Sequence, residues 1–299
     1  MNLKEFLVSY GYKNEELDKI INYLDGSKMK NFKEAIINSL KDYESLGYKR
    51  EEIIKMTKII PNILLISKDN KDRKMEYMES LGYQKDEVIT MPIKFPAIYC
   101  VSQKNISKKI DDMVSLGYKI EDVIKMTKLV PSLFGTTIDN IKLKLSGLVS
   151  LGYEYEDAIK MTISLPSLFC FSIETIKDKI DYLIEFGYTK EEVIEITKKL
   201  PPTLGLSKDG LKDKLDFYDS IGLHDLPLIS PMRLMQSTKV SYSRYMFYNS
   251  IGIDININNY VLLFLYSKEF EHKYGLDKEE LISMYPYNKE SVKNNGRII

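Results

Sequence analysis

Proline returns at a fixed step of 35 residues along this chain, at Pro61, Pro96, Pro131, Pro166 and Pro201. A Leu-Gly-Tyr-type triplet keeps the same step, with its glycines at Gly47, Gly82, Gly117, Gly152 and Gly187, and Gly222 closes the fifth unit. A fixed period on this scale means stacked copies of one supersecondary unit, because a single unit cannot bury its apolar face alone. Length by itself, 299 residues, would suggest two globular domains; stacked repeats instead imply one elongated body.

One unit shows the grammar. After Gly47-Tyr48, Glu51 and Glu52 stand where the first turn of a helix favours negative charge. Ile53, Ile54, Met56, Thr57 and Ile60 then recur at helical spacing, and Pro61 stops the helix by ending its hydrogen-bond ladder. Residues 62–66 form a short apolar run that predicts a turn of tight helix. Ser67 follows as the N-cap of a second helix running to Leu81, and Gly82 supplies its left-handed ending. The cap position holds Ser67, Ser102, Thr137, Ser172 and Ser207, and Thr189 with Glu192 reads as a capping box. Glu51 with Lys55, Glu121 with Lys125 and Glu156 with Lys160 stand four apart, as solvated helix faces do.

The expected fold is therefore all-α: an α-solenoid superhelix of helix, proline, short 3₁₀ turn and helix, with irregular terminal caps. Residues 1–46 read as a degenerate N-terminal cap with a polar turn at Asp25-Gly26-Ser27-Lys28, and residues 47–221 as five regular repeats. Residues 222–254 read as a shortened repeat marked by Pro231 and Gly252. Residues 255–299 read as an irregular C-terminal cap that restarts the pattern at Gly275 and frays from Asn288.

The wording of the unit is Leu-Gly-Tyr, two acids, an apolar helix, Pro, a short apolar run, Ser, a second helix, and Leu-Gly-Tyr again. Segments such as Pro166-Ser167-Leu168-Phe169, Ser172, Ile180-Asp181-Tyr182-Leu183 and Gly187 carry it. The pattern resembles the mTERF (mitochondrial transcription termination factor) repeat, in the form of a bacterial-type relative, over residues 40–255. That resemblance implies two α-helices and a short 3₁₀ turn per repeat. It also implies a nucleic-acid partner, double-stranded DNA or structured RNA, bound along a positively charged concave face.

Lys plus Arg equals Asp plus Glu, 43 each, so no net field draws the chain to nucleic acid or to an anionic membrane. Binding of either kind requires charges sorted onto one face. One basic column offers this. Lys74, Lys109, Lys144, Lys179 and Lys214 each stand eight residues before a closing glycine, and Arg244 keeps the place before Gly252. If repeats stack at ~10 Å, this ladder spans about 50 Å, or about fifteen base pairs of duplex.

Two readings of the ladder stay open. On a helical wheel Lys179 falls at the edge of the apolar arc of Ile176, Ile180, Leu183 and Phe186. From there it can lay its stem on the core and reach the orphan carbonyls at the end of the first helix. Alternatively the column faces a phosphate backbone. The acids two residues on, Glu76, Asp111, Asp181 and Asp216, turn by ~200° and leave it uncancelled. Lys58, Lys128 and Lys198 form a looser set that reads as solvated surface. The tyrosines after the glycines, Tyr12, Tyr48, Tyr83, Tyr118, Tyr153 and Tyr188, read as corner packing with the hydroxyl in water.

Catalysis finds no foothold. His224 and His272 lie in different irregular units, and no glycine-rich phosphate loop or nucleophile motif occurs. Cys100 and Cys170, alone and far apart, read as small buried hydrophobes and not as metal ligands. The expectation is a non-enzyme with no cofactor, metal or small-molecule substrate. The N-terminus lacks a signal core and residues 261–266 are too short to span a bilayer, so a cytoplasmic, non-membrane protein is expected. A non-catalytic protein-interaction scaffold is the alternative, since solenoids offer extended surfaces to partner proteins.

Overall fold

The structure, a computed structural model, describes residues 3–25 and 32–293. It divides into two compact units, Met1–Leu145 and Ser146–Ile299. All regular structure among the described residues is helical.

In the first unit the helices Leu3–Tyr10, Asn14–Asp25 and Phe32–Ser45 precede the regular pattern. The residues Gly26–Lys28 of the expected polar turn lie outside the described residues. Two full repeats follow: Arg50–Ile59, Pro61–Leu65, Lys68–Ser80, then Lys85–Lys94, Pro96–Cys100, Gln103–Ser115. The third begins with Ile120–Leu129 and Pro131–Gly135. In each, the middle element is a 3₁₀ turn with proline at its head, because proline needs no hydrogen-bond partner for a missing N–H. First helices bury Ile53 and Met56, Val88 and Met91, or Val123 and Met126, and second helices bury residues such as Ile106, Ile110 and Met113.

The second unit repeats this with Tyr155–Ser164, Pro166–Cys170, Ile173–Phe186 and with Lys190–Lys199, Pro201–Gly205, Lys208–Ser220. The shortened repeat has lost its residues from the first helix, which shrinks to Leu226–Ile229 ahead of Pro231–Met235 and Thr238–Ser250. The C-terminal elements are Tyr260–Phe264, Ser267–Tyr274, Lys278–Met284 and Lys289–Lys293. The last of these corrects the expectation of fraying from Asn288 as far as Lys293; residues 294–299 lie outside the described residues. Val292 is buried, and the Lys289 ammonium meets the Asp213 carboxylate at 2.6 Å, which pins the segment.

The local signals work as expected, with one exception. The hydroxyls of Ser102, Thr137, Ser172 and Ser207 accept the backbone N–H three residues on. Ser67 keeps the extended cap backbone but makes no such bond, and nothing in the structure explains why. Thr189 and Glu192 form the reciprocal capping box. Gly117 adopts φ 103°, and Tyr118 N–H returns to Met113 O at 3.3 Å, closing the helix as a Schellman motif.

The tyrosines after the glycines do not reach water. Tyr12, Tyr83 and Tyr153 are buried, and their hydroxyls pair with those of Thr57, Thr127 and Thr197 on the first helix of the following repeat. Each threonine also donates back to its own helix, as Thr127 does to Val123 O at 2.7 Å. At Tyr48 the next repeat carries Pro92 in place of threonine, and the hydroxyl pairs instead with Tyr99 at 2.9 Å. Burial pushes the phenols of Tyr12, Tyr83 and Tyr153 up to about 12, the threonine bond partly opposing it. These pairs lock one repeat onto the next.

Candidate nucleic-acid interface

The basic ladder is internal. In the first unit Lys74 and Lys109 are each 8% exposed, and Lys144 is half-buried and not free. Lys74 donates to Val101 O and Lys109 to Thr136 O. Both acceptors are C-caps of the 3₁₀ turn in the following repeat. In the second unit Lys179 donates to Leu204 O and Lys214 to Gln236 O, again at the end of the next repeat's turn. Arg244, 4% exposed, reaches Leu263 O at 3.0 Å and Leu265 O at 2.6 Å. The carbonyls at the end of a helical turn have no backbone partner and carry partial negative charge, so a buried cation there satisfies them. Of the two readings of the ladder, the one that sends it to orphan carbonyls fits these bonds, but the acceptors lie at the end of the 3₁₀ turn, one repeat further on, and not at the end of the first helix.

Burial depresses the pKa of Lys74, Lys109, Lys179, Lys214 and Arg244. A phosphate could take one of these charges only by displacing its carbonyl. The acids two residues on do not meet the ladder: Asp181 pairs with Lys177 and Asp216 with Lys212.

Lys58, Lys128 and Lys198 are not plain solvated surface either. They meet Glu16 at 2.8 Å, Glu87 at 2.7 Å and Asp157 at 3.5 Å, each acid lying on the first helix of the preceding repeat. The lysine bonds hold the Glu16 and Glu87 carboxyls below the usual carboxylate range. The pairs expected within one helix, Glu51–Lys55, Glu121–Lys125 and Glu156–Lys160, are not among the ion pairs of the structure. Lys198 and Lys199 also pair with Glu195 on their own helix, so first-helix charge runs both between repeats and within one.

A second column of exposed cations stands one or two residues before the ladder. Arg73, Lys108 and Lys142 are exposed in the first unit, and Lys177 and Lys212 in the second. Lys108, Lys177 and Lys212 hold a carboxylate four residues on, a surface pairing worth only ~0.3–0.5 kcal/mol that a phosphate can displace. This second column was visible in the sequence, but its register slips by one residue between Lys108 and Lys142, so a search at one fixed spacing finds only part of it. Cys100 and Cys170 also depart from expectation, since both are exposed. They stand at the end of the 3₁₀ turn, where the chain leaves the core.

Lys71 is the most buried cation. It is fully inaccessible, donates to Ser39 Oγ at 2.7 Å, lies 3.9 Å from the centre of the Tyr43 ring and stands 3.6 Å from Asp42. Later repeats hold Ile106, Ile141, Ile176 and Leu211 at its position. Burial lowers its pKa to about 8, against the pull of Asp42. Below that pH both folded and unfolded chains carry the proton and the penalty is constant. Between pH 8 and the ordinary lysine value only the unfolded chain does, so stability rises with pH by on the order of 2 kcal/mol. Above about pH 10 the raised tyrosine values act oppositely, since the unfolded chain then loses protons the folded one keeps. Thermal melts from about pH 7 to 10 check this. Lys71→Ile should flatten the rise, and equal slopes in both proteins would refute the assignment.

Among the described residues no group of three or more His, Cys, Asp or Glu is placed to hold a metal ion. No described helix is long and apolar enough to cross a membrane. A family model described as mTERF matches the chain over residues 2–177 and again over residues 148–221. No curated protein matches it.

Proposed function

Because the chain belongs to the mTERF family, we propose that it is a nucleic-acid-binding helical-repeat protein that holds phosphates and reads little sequence. The family match is the observation that carries this reading. Exposed cations support such a contact, Arg73, Lys108 and Lys142 in one unit and Lys177 and Lys212 in the other. Behind these cations Lys74 and Lys109 in the first unit, and Lys179, Lys214 and Arg244 in the second, tie second helices to the turn that follows. The partner is a phosphate backbone, duplex DNA or structured RNA, since four of the five side chains are lysines, point charges that hold phosphates and carry little base readout.

Binding to a duplex should weaken with salt, with a log–log slope of magnitude up to about 4.5 if all five exposed cations engage. Replacing Lys108, Lys142 and Lys177 by Gln should lower that magnitude by about 2.7 for every sequence tested, with the melting temperature nearly unchanged. A slope that stays the same sinks the assignment of these residues. A second reading, a protein-interaction scaffold, draws on Val114, Val149 and Ile184, apolar residues at one repeat position and 39%, 40% and 37% exposed. Partners that survive nuclease treatment and are lost on charging these residues favour it.

A further inference from the structure

An open cleft of about 510 Å³ lies in the first unit, between the turns Pro61–Leu65 and Pro96–Cys100 and the helix Lys68–Ser80. Its volume falls within the ~300–1,000 Å³ of small-ligand sites. Ile66 and Tyr99 supply an apolar wall, and none of the residues lining it is acidic. Arg73, Asn62 and Gln103 supply a polar one, with the Lys74 charge beneath.

The polar groups are held in place. Arg73 Nη2 donates to Asn70 Oδ1 at 2.9 Å and its Nε to Asp69 O at 3.2 Å, which fixes the guanidinium and leaves Nη1 to donate outward. Gln103 Nε2 donates to Arg73 O at 3.1 Å, leaving the carboxamide oxygen as an acceptor. Repeat stacking does not require these side chains. Where Arg73 stands, later repeats have Lys108, Leu143, Asp178 and Asp213; where Gln103 stands, the others have Lys68, Ile138, Ile173 and Lys208; where Asn62 stands, they have Ala97, Ser132, Ser167 and Pro202. Three departures from the repeat meet at one groove.

We propose that this cleft binds a nucleotide-sized group bearing a phosphate. Arg73 takes the phosphate through its outward Nη1, the Gln103 carboxamide oxygen addresses the polar edge of a ring, and Ile66 with Tyr99 cover its apolar face. The source is either a nucleotide within a bound strand, in which case the inference rests on the nucleic-acid reading above, or a free nucleotide.

Cys100 lines the cleft, and Cys170 stands at the same place in a later repeat outside it, so the two thiols form a reporter and its control. Alkylation of each is followed in the full chain with nucleoside 5′-monophosphates and, separately, with a single-stranded oligonucleotide whose binding is read independently by fluorescence anisotropy. Protection of Cys100 by roughly tenfold at ten times the dissociation constant, with Cys170 unchanged and protection lost in Arg73→Gln, is the expected result. Protection by the mononucleotide identifies a free nucleotide as sufficient; protection by the oligonucleotide alone identifies the strand as the source. Oligonucleotide binding without Cys100 protection by either probe overturns the cleft and leaves the nucleic-acid reading standing. Mononucleotide protection without oligonucleotide binding keeps the cleft and assigns it a free nucleotide, the nucleic-acid reading being tested separately by the duplex salt slope. Equal protection by inorganic phosphate overturns the nucleotide assignment.

Discussion

Lys74→Met with Lys109→Met should lower the stability of the chain by about 3 kcal/mol, a fall of roughly 6–12 °C in melting temperature. Methionine keeps most of the buried stem of each lysine but cannot donate, so Val101 O and Thr136 O lose their partners. A hydrogen bond from a charged donor contributes ~1.5–3 kcal/mol, and relief of the ammonium's own burial offsets part of it. The two rungs use different acceptors, so their losses should add. Duplex affinity, measured well below the melting transition, should keep its salt slope. Unchanged melting with a weakened salt dependence would mean that the ladder meets phosphate and not carbonyl.

Thr127→Val should cost about 2 kcal/mol, although it removes one oxygen and keeps the shape of the side chain. The change leaves the Tyr83 hydroxyl buried with no partner, which carries the full desolvation penalty of that group. Tyr83→Phe added to Thr127→Val should recover about 1 kcal/mol, because the orphaned hydroxyl is then gone. Equilibrium unfolding of the wild type, both single variants and the double variant closes the cycle. Strict additivity would show that the two hydroxyls do not depend on each other, and the lock between repeats would have to be sought in apolar packing alone. Tyr99→Phe, which orphans Tyr48 where Pro92 has displaced the threonine, is the matching test one repeat earlier.

Much of the fold was open to a reader of the sequence because its determinants are local. Pro61 ends a helix by its own covalent geometry, Ser102 caps one with its own hydroxyl, and Gly117 reverses the chain because it lacks a Cβ. The burial of the ladder was legible too: the helical wheel set Lys179 at the edge of the apolar arc, and its side chain is buried there. The C-terminal segment resisted reading because its composition is polar. Its order depends on the single buried Val292 and on Asp213, which is remote in sequence.

What the amino-acid order alone determined was the brick: two helices, a proline-headed turn, and the faces on which apolar and charged residues fall. Periodicity is a property of one chain segment and needs no neighbour. What only the tertiary structure decided was the mortar, meaning which carbonyl takes each ladder cation, which threonine takes each tyrosine, and which acid takes Lys58 or Lys128. These bonds join residues 19 to 45 positions apart. They form only when one repeat's turn comes to rest against the previous repeat's helix, a distance that no spacing within a single repeat contains.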